Sequence, residues 1–253
     1  MRRFAFVLAS ILLFTSPTLR AQDAIPTEML KQTYLIKVGD VIGTAFSVDY
    51  SGERYLVTAR HILDGLPVQR ATILLWQQGG WKEIPTKRTL LVSPLNVDIA
   101  VLETYVHVHD SSALRATDDS KPSIGQKVWY LGYPSQSDTH STSTQSDAPY
   151  TSTWTVPAIK RGTISAIDVS TPDTLILHID GSDGPGFVGG PILCWDPTNH
   201  AFRILGIIQG QENVSAPPLI KSGQADTNAS VSEGILIGYS VDYAMKAIKR
   251  PRE

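Results

Sequence analysis

Short runs rich in β-branched and aromatic residues recur along almost the whole chain: "TYLIKV", "GTAFSVD", "RYLVTA", "ATILLW", "RTLLV", "IAVLET", "KVWYLGY", "STWTV", "GTISAIDV", "TLILHI", "FRILGIIQG" and "GILIGYS". Each is strand length, and turn formers such as Ser51-Gly52, Gly79-Gly80, Pro94-Leu95-Asn96 and Asp183-Gly184 separate them. Close spacing of this kind leaves no room for crossover helices, so the chain must build hairpins that close into barrels or sandwiches. Helix is scarce, and the clearest candidate is "YAMKAIK" near the C-terminus, with Asp242 placed to cap it.

The first residues do not belong to that pattern. Arg2 and Arg3 precede an apolar run from Phe4 to Phe14, followed by Ser16, Pro17 and Ala21. A basic start, an apolar stretch too short to span a bilayer and a small residue at its end are the parts of a secretory signal peptide, expected to occupy residues 1–21. The remaining chain is expected to be exported, either periplasmic or secreted, with no membrane association once the signal is removed. Its only cysteine, Cys194, lies in the apolar "PILCW" and reads as a small buried hydrophobe, since one cysteine makes no intramolecular disulfide.

With 42% hydrophobic and 18% charged residues, the chain has enough apolar material for one large domain or two small ones. A formal charge of −2 with mixed signs gives no electrostatic footprint for nucleic acid. The polar stretch "RATDDSKPSIGQ" at 115–126 divides two groups of about six strands, which suggests an N-terminal barrel at 22–114, a linker at 115–126, and a C-terminal barrel with its helix at 127–253. A second polar stretch, 135–152, carries no apolar period and reads as a surface loop.

Three local patterns point to chemistry. In "YLVTARHIL" a strand ends by delivering His61 to a loop. In "NVDIAVLE" Asp98 stands at the mouth of an apolar strand. In "GFVGGPIL" a glycine-rich turn feeds a further strand. A histidine base, a carboxylate to hold its tautomer and a tight turn of backbone donors are the components of an acyl-transfer site.

In order along the chain, Gly43 to Val48, Thr58 to His61, Asp98 to Ala100, Gly132 to Pro134, Gly186 to Pro191, Leu205 to Gly210 and the helix after Asp242 resemble the chymotrypsin/trypsin-like serine protease superfamily. The likeness is nearest to its disulfide-free, HtrA-like bacterial members. That resemblance implies an all-β fold of two six-stranded antiparallel β-barrels with a short C-terminal helix. It makes His61 the base position, Asp98 its orienting carboxylate, and the Gly186 and Val188 amides the oxyanion hole. Ser182 would form the floor of the specificity pocket, too small and uncharged to favour a basic substrate side chain. Phe187 replaces the aspartate with which activatable trypsins pair a new N-terminus, so that mode of activation is not expected. The Arg60 cation beside His61 is a further departure.

Position 188 is where the resemblance implies the nucleophilic serine, and it holds valine. Valine offers no nucleophilic atom, so no acyl-enzyme can form there. Loss of one triad member leaves roughly 10³ to 10⁴-fold acceleration over water, far below a working protease. The expected function is therefore that of a pseudoprotease that takes a peptide or protein ligand in the cleft between barrels. Two alternatives stand beside it. One is an active hydrolase using an activated water or another nucleophile, and the other is an interaction protein recognised through the 135–152 loop. No cofactor is called for. His107 and His109 in "VHVHD" would share a strand face with Asp110 nearby, but no third ligand is placed, so no metal is assigned. The sequons at Asn213 and Asn228 are assigned no role.

Overall fold

In the computed structural model, residues 24–77, 79–90, 92–105, 121–134, 156–181, 186–211, 220–221, 224–225 and 234–250 are described. The signal-peptide region, residues 106–120 with the first part of the expected 115–126 linker, the loop at 135–152, Ser182, His107, His109, Asp110, Asn213 and Asn228 lie outside them.

A short helix α1 (Thr27–Lys31) leads into β1 (Thr33–Val38), β2 (Val41–Tyr50) and β3 (Glu53–Thr58). A single 3-10 turn, Arg60–Leu63, follows, then β4 (Thr72–Gln77), β5 (Gly80–Leu90) and β6 (Ala100–Thr104). These six strands close as an antiparallel barrel in the order β1-β2-β3-β6-β5-β4. Next come β7 (Lys127–Gly132), β8 (Ala158–Asp168), β9 (Ile176–Asp180), β10 (Pro191–Asp196) and β11 (Ala201–Gln211). The two-residue strands β12 (Ile220–Lys221) and β13 (Gln224–Ala225) pair only with each other. β14 (Ile235–Ser240) completes a second closed barrel, ordered β10-β11-β14-β9-β8-β7, and α2 (Asp242–Lys249) ends the described chain. The fold is thus two six-stranded antiparallel barrels with a short C-terminal helix.

In β1, β2, β3, β6, β7 and β10 the apolar runs are nearly continuous because these strands are buried on both faces, whereas β5 and β8 keep exposed positions. Successive residues sort into separate cores. On β7, Val128 and Tyr130 point into the second barrel with Ile164, Leu177 and Ile192. Between and beyond them, Trp129 and Leu131 point outward, into a core shared with Phe46, Val57 and Val101 of the first barrel. The same split places Leu56 of β3 inside the first barrel and its neighbours Tyr55 and Val57 in the shared core. α2 seals that shared core with Tyr243, Met245 and Ile248. The barrels are therefore packed together through a continuous apolar layer, and the site lies along its edge.

Four local readings differ from the structure. β5 runs back to Gly80 through "WKEIPTK", and Pro85 pairs with Thr72 at the end of β4, where a missing N–H costs the ladder little. The sixth strand of the second barrel is β10, "PILCWD"; of "STWTV" only Val156 is described, outside any strand. α1 is a helix that the strand-rich pattern conceals. Asp242 is not the cap of α2: the N-cap position is Val241, which makes no side-chain cap, and the Asp242 amide donates to Ser240 Oγ at 3.2 Å. Asp242 instead sits in the first turn, where its charge suits the helix dipole.

Candidate functional site

β3 ends at Thr58, and the 3-10 turn that follows turns His61 away from the barrel while Ile62 and Leu63 anchor in its core. Gly43 leaves room for this anchoring, since a Cβ there would lie 2.3 Å from the tip of Ile62, Cδ1. Asp98 lies between Val97 and Ile99, both buried in the shared core, just before β6. Two apolar anchors thus fix the carboxylate at the seam.

His61 and Asp98 meet through two hydrogen bonds. Asp98 Oδ2 lies 2.6 Å from His61 Nδ1, and Asp98 Oδ1 accepts the His61 backbone N–H at 3.0 Å. The carboxylate thereby fixes both the ring and the peptide that carries it. The Arg60 amide also donates to the Asp98 carbonyl at 3.4 Å. The Arg60 guanidinium donates to the carbonyls of Leu95 and Val97, so it clamps the loop that presents Asp98. The sequence gives no direction to this side chain; the cation next to His61 in the chain braces the loop of its partner.

The hydrogen bond to Asp98 raises the His61 pKa above its ordinary value, outweighing partial burial, with further help from the Asp98 and Asp64 charges. Burial pushes Asp98 upward, but its bonds to His61, the imidazolium charge and the nearby Arg60 together hold it below the usual carboxylate range. The pair thus favours imidazolium beside carboxylate. The His61 side chain is 47% exposed, against 15% for Asp98, so a ligand can reach the ring and not its orienting partner.

The glycine-rich turn approaches from the second barrel. Phe187 is fully buried there, edge-on to Tyr130 with 5.9 Å between ring centroids, and Lys160 Nζ lies 4.8 Å above its ring. An aromatic ring thus fills the position next to the turn's apex, with a cation over its face. Gly132 must lack a side chain because a Cβ would lie 2.6 Å from Phe187 Cα. The next residue, Val188, packs instead on the core of the first barrel and is half-buried. Adjacent side chains therefore enter opposite barrels, and the turn staples the two together.

Backbone contacts finish the staple. The Thr44 amide donates to Val188 O at 2.8 Å, the Gly189 amide to Ile208 O at 2.8 Å, and the Gly190 amide to Phe187 O at 2.9 Å. Gly189 takes φ +84° in a space where a Cβ would lie 2.1 Å from Thr44 O and 2.3 Å from Thr58 Oγ1. Only glycine fits that space and that backbone. The Thr44 hydroxyl donates to Gly186 O and lies 3.3 Å from the Tyr133 amide, which makes Thr44 a latch between barrels. Its place in "GTAF" carried no signal of that role.

The amides of Gly186 and Val188 donate no hydrogen bond among the described residues. Nor does any hydroxyl or thiol among them bond the His61 ring, whose one ring partner is Asp98. The nearby hydroxyls are committed elsewhere: Thr58 Oγ1 donates to Thr44 O at 2.7 Å and Thr44 Oγ1 to Gly186 O. Cys194 is fully buried in the second barrel, where its sulfur accepts from Arg203 Nε at 3.3 Å and burial raises its thiol pKa. The structure thus brings His61 and Asp98 together, places Gly186 and Val188 on the turn beside the first barrel, and does not describe Ser182. Among the described residues, no three His, Cys, Asp or Glu side chains converge as a metal site would require.

Known proteins place this architecture. Solved structures similar to it include a serine endoprotease from Yersinia pestis (TM-score 0.55, 17% identity, 89% of this chain and 67% of that one). An inactive serine-to-alanine mutant of Rv3671c from M. tuberculosis H37Rv aligns with TM-score 0.54 and 15% identity over 90% of this chain and 92% of that one. The HtrA-type protease AlgW, with a tripeptide, aligns with TM-score 0.53 and 17% identity over 88% of this chain, which spans 60% of AlgW's length. At these identities the likeness concerns the fold. No curated protein matches the sequence significantly. Residues 43–200, well over half the chain, match the family described as trypsin-like peptidase domain, and the protein belongs to that family.

Proposed function

We propose that this protein is a trypsin-like peptidase homologue without serine-protease activity, which holds extended peptide segments in the cleft between its barrels. The observation that carries the proposal is the half-buried valine at the apex of the turn, with no hydroxyl or thiol bonded to His61 among the described residues. A histidine base with no proton to take cannot begin acyl transfer. Peptide binding needs backbone donors and acceptors but no nucleophile, so the valine at 188 does not stand against it. That an HtrA-type relative of the fold is known with a tripeptide supports the choice of ligand class. Ser182 as a pocket floor, and selection against basic side chains, belong to the same reading.

The test is hydrolysis of a fluorogenic peptide panel by the wild-type protein and by Val188→Ser. The wild type should show no turnover, and the serine variant should gain it, because His61 is already oriented. Turnover by the wild type would overturn the proposal.

One observation favours a second reading: the His61–Asp98 contact at 2.6 Å is arranged as a working base requires. In that reading His61 activates a water, and wild-type hydrolysis would be lost in His61→Ala. Export is part of the proposal as well. N-terminal sequencing of the protein recovered from the cell envelope or medium should begin at Gln22, after the signal peptide at 1–21.

A further inference from the structure

We infer that the protein has a second ligand site, separate from the His61–Asp98 pair, which takes a small aromatic carboxylate in an apolar cavity between α1 and the β4–β5 hairpin. The inference does not depend on the peptide reading of the cleft.

The cavity has a volume of about 400 Å³, within the range of small-molecule sites. Leu30 and Lys31 of α1 line it together with Tyr34 of β1, Trp76 of β4, Tyr133 just after β7 and Val156 shortly before β8. Elements of both barrels thus contribute. None of these residues bonds His61 or Asp98. The link to the glycine-rich turn is the Tyr133 amide, which donates to Gly186 O at 3.3 Å.

Tyr34 and Tyr133 are buried, Trp76 and Leu30 half-buried, and Val156 exposed, so the two tyrosines form the inner end. Their polar atoms are already spent. Tyr133 Oη donates to Thr33 O at 2.9 Å, and Tyr34 Oη is bonded to Ser47 Oγ at 3.3 Å. Burial raises the pKa of both phenols, so neither becomes an anion at ordinary pH. What they offer a ligand is ring surface. Trp76 is itself held edge-on by its cross-strand partner Trp81, with 5.3 Å between ring centroids. A fixed indole favours a flat aromatic guest over a flexible chain, because ring pairs gain beyond the area they bury and a rigid guest loses less freedom.

Aromatic walls also suit cations. The charge beside these walls decides against one, since Lys31 is the one charged residue among the described lining. Its ammonium lies 3.4 Å from Glu28, but the two side chains are 54% and 53% exposed, and a surface pair of that kind holds its members weakly. The ammonium is therefore open to a carboxylate on a ligand whose rings are buried against Trp76 and the tyrosines. A cationic guest would meet like charge, and a neutral one would gain nothing from Lys31.

The probes are naphthoate, naphthamide and octanoate, each titrated into the whole protein while the indole N–H signals are followed by NMR. The Trp76 signal is assigned through Trp76→Phe. Naphthoate should bind most tightly and shift that signal. The amide and octanoate should each bind about fivefold more weakly, the first for want of a charge and the second for want of a ring. Lys31→Gln should bring naphthoate and naphthamide level. Val156→Asp, a change at an exposed position, should weaken naphthoate about fivefold and spare the amide. The His61 ring signals should stay in place. Amide binding as tight as acid binding in the wild type would overturn the assignment of charge, and octanoate binding as tight as naphthoate would overturn the aromatic class. A Trp76 signal that no probe moves, or a naphthoate response centred on His61, would overturn the site.

Discussion

The two halves of the site are built from different materials. On the first barrel, His61 and Asp98 are held by side-chain charge: a bond of 2.6 Å, a second bond to the His61 amide, and the Arg60 brace behind the loop. On the second barrel, the turn from Gly186 to Gly190 is held by shape and main chain: a buried phenyl ring, a glycine that fits where no other residue would, and amides paired across both barrels. The first half depends on which atoms its side chains carry. The second depends on which side chains it lacks. That is why valine can stand at position 188 without disturbing the turn, since the Val188 carbonyl makes the contact to Thr44 and its side chain only adds packing on the first barrel. Chemistry and geometry are separable at this residue.

The largest effects should come from breaking the shape half. Gly189→Ala forces a Cβ into Thr44 O and Thr58 Oγ1 at φ +84°, and a loss of about 3 kcal/mol or more is expected in urea denaturation. Gly52→Ala is the control. Gly52 has nearly the same φ, +82°, with nothing within 4 Å of the added atom, so only the conformational cost of about 1 kcal/mol should appear. Equal losses at the two positions would mean that the close fit at Gly189 contributes nothing. Phe187→Ala should cost about 3–5 kcal/mol by opening a cavity beside Tyr130.

Breaking the charge half should change titration more than stability. In Asp98→Asn the raised His61 pKa should fall back, followed by the imidazole NMR signals. The stability profile should change with it. Because the folded His61 pKa is raised, its contribution is full below about 6.5, the unfolded value, and is lost as pH rises through the folded one. Because the folded Asp98 pKa is lowered, its contribution is full above about 3.9 and is lost as pH falls through the folded value. The difference between wild type and Asp98→Asn should therefore peak between those limits and shrink on either side. Arg60→Ala should have the smallest effect, about 1 kcal/mol from hydrogen bonds made near solvent, with a partial fall in the His61 pKa as the 95–97 loop loosens.

The same contrast explains what can be read from the letters alone. The two barrels are legible because strands buried on both faces leave long apolar runs, as "TYLIKV" for β1 and "IAVLET" for β6, and because the turn formers between them are chemically distinct. β5 is harder to see, since its first half is polar and contains Pro85, tolerated by position at the ladder's end. α1 is five residues long, too short for any helical period to show. At the site, "TARH", "VDIA" and "GFVGGP" mark where the chain pauses between strands, but not where side chains point. The direction of Arg60, the latch formed by Thr44, and the entry of Phe187 and Val188 into different barrels are properties of the packed pair of barrels, and no local pattern encodes them.

The central claim, that a peptidase architecture here carries no serine nucleophile, is tested most directly by exposing the wild-type protein to a fluorophosphonate and weighing it intact. The account expects an unmodified mass for the wild type and a single adduct for Val188→Ser. A stoichiometric adduct on the wild type, lost in His61→Ala, would contradict it.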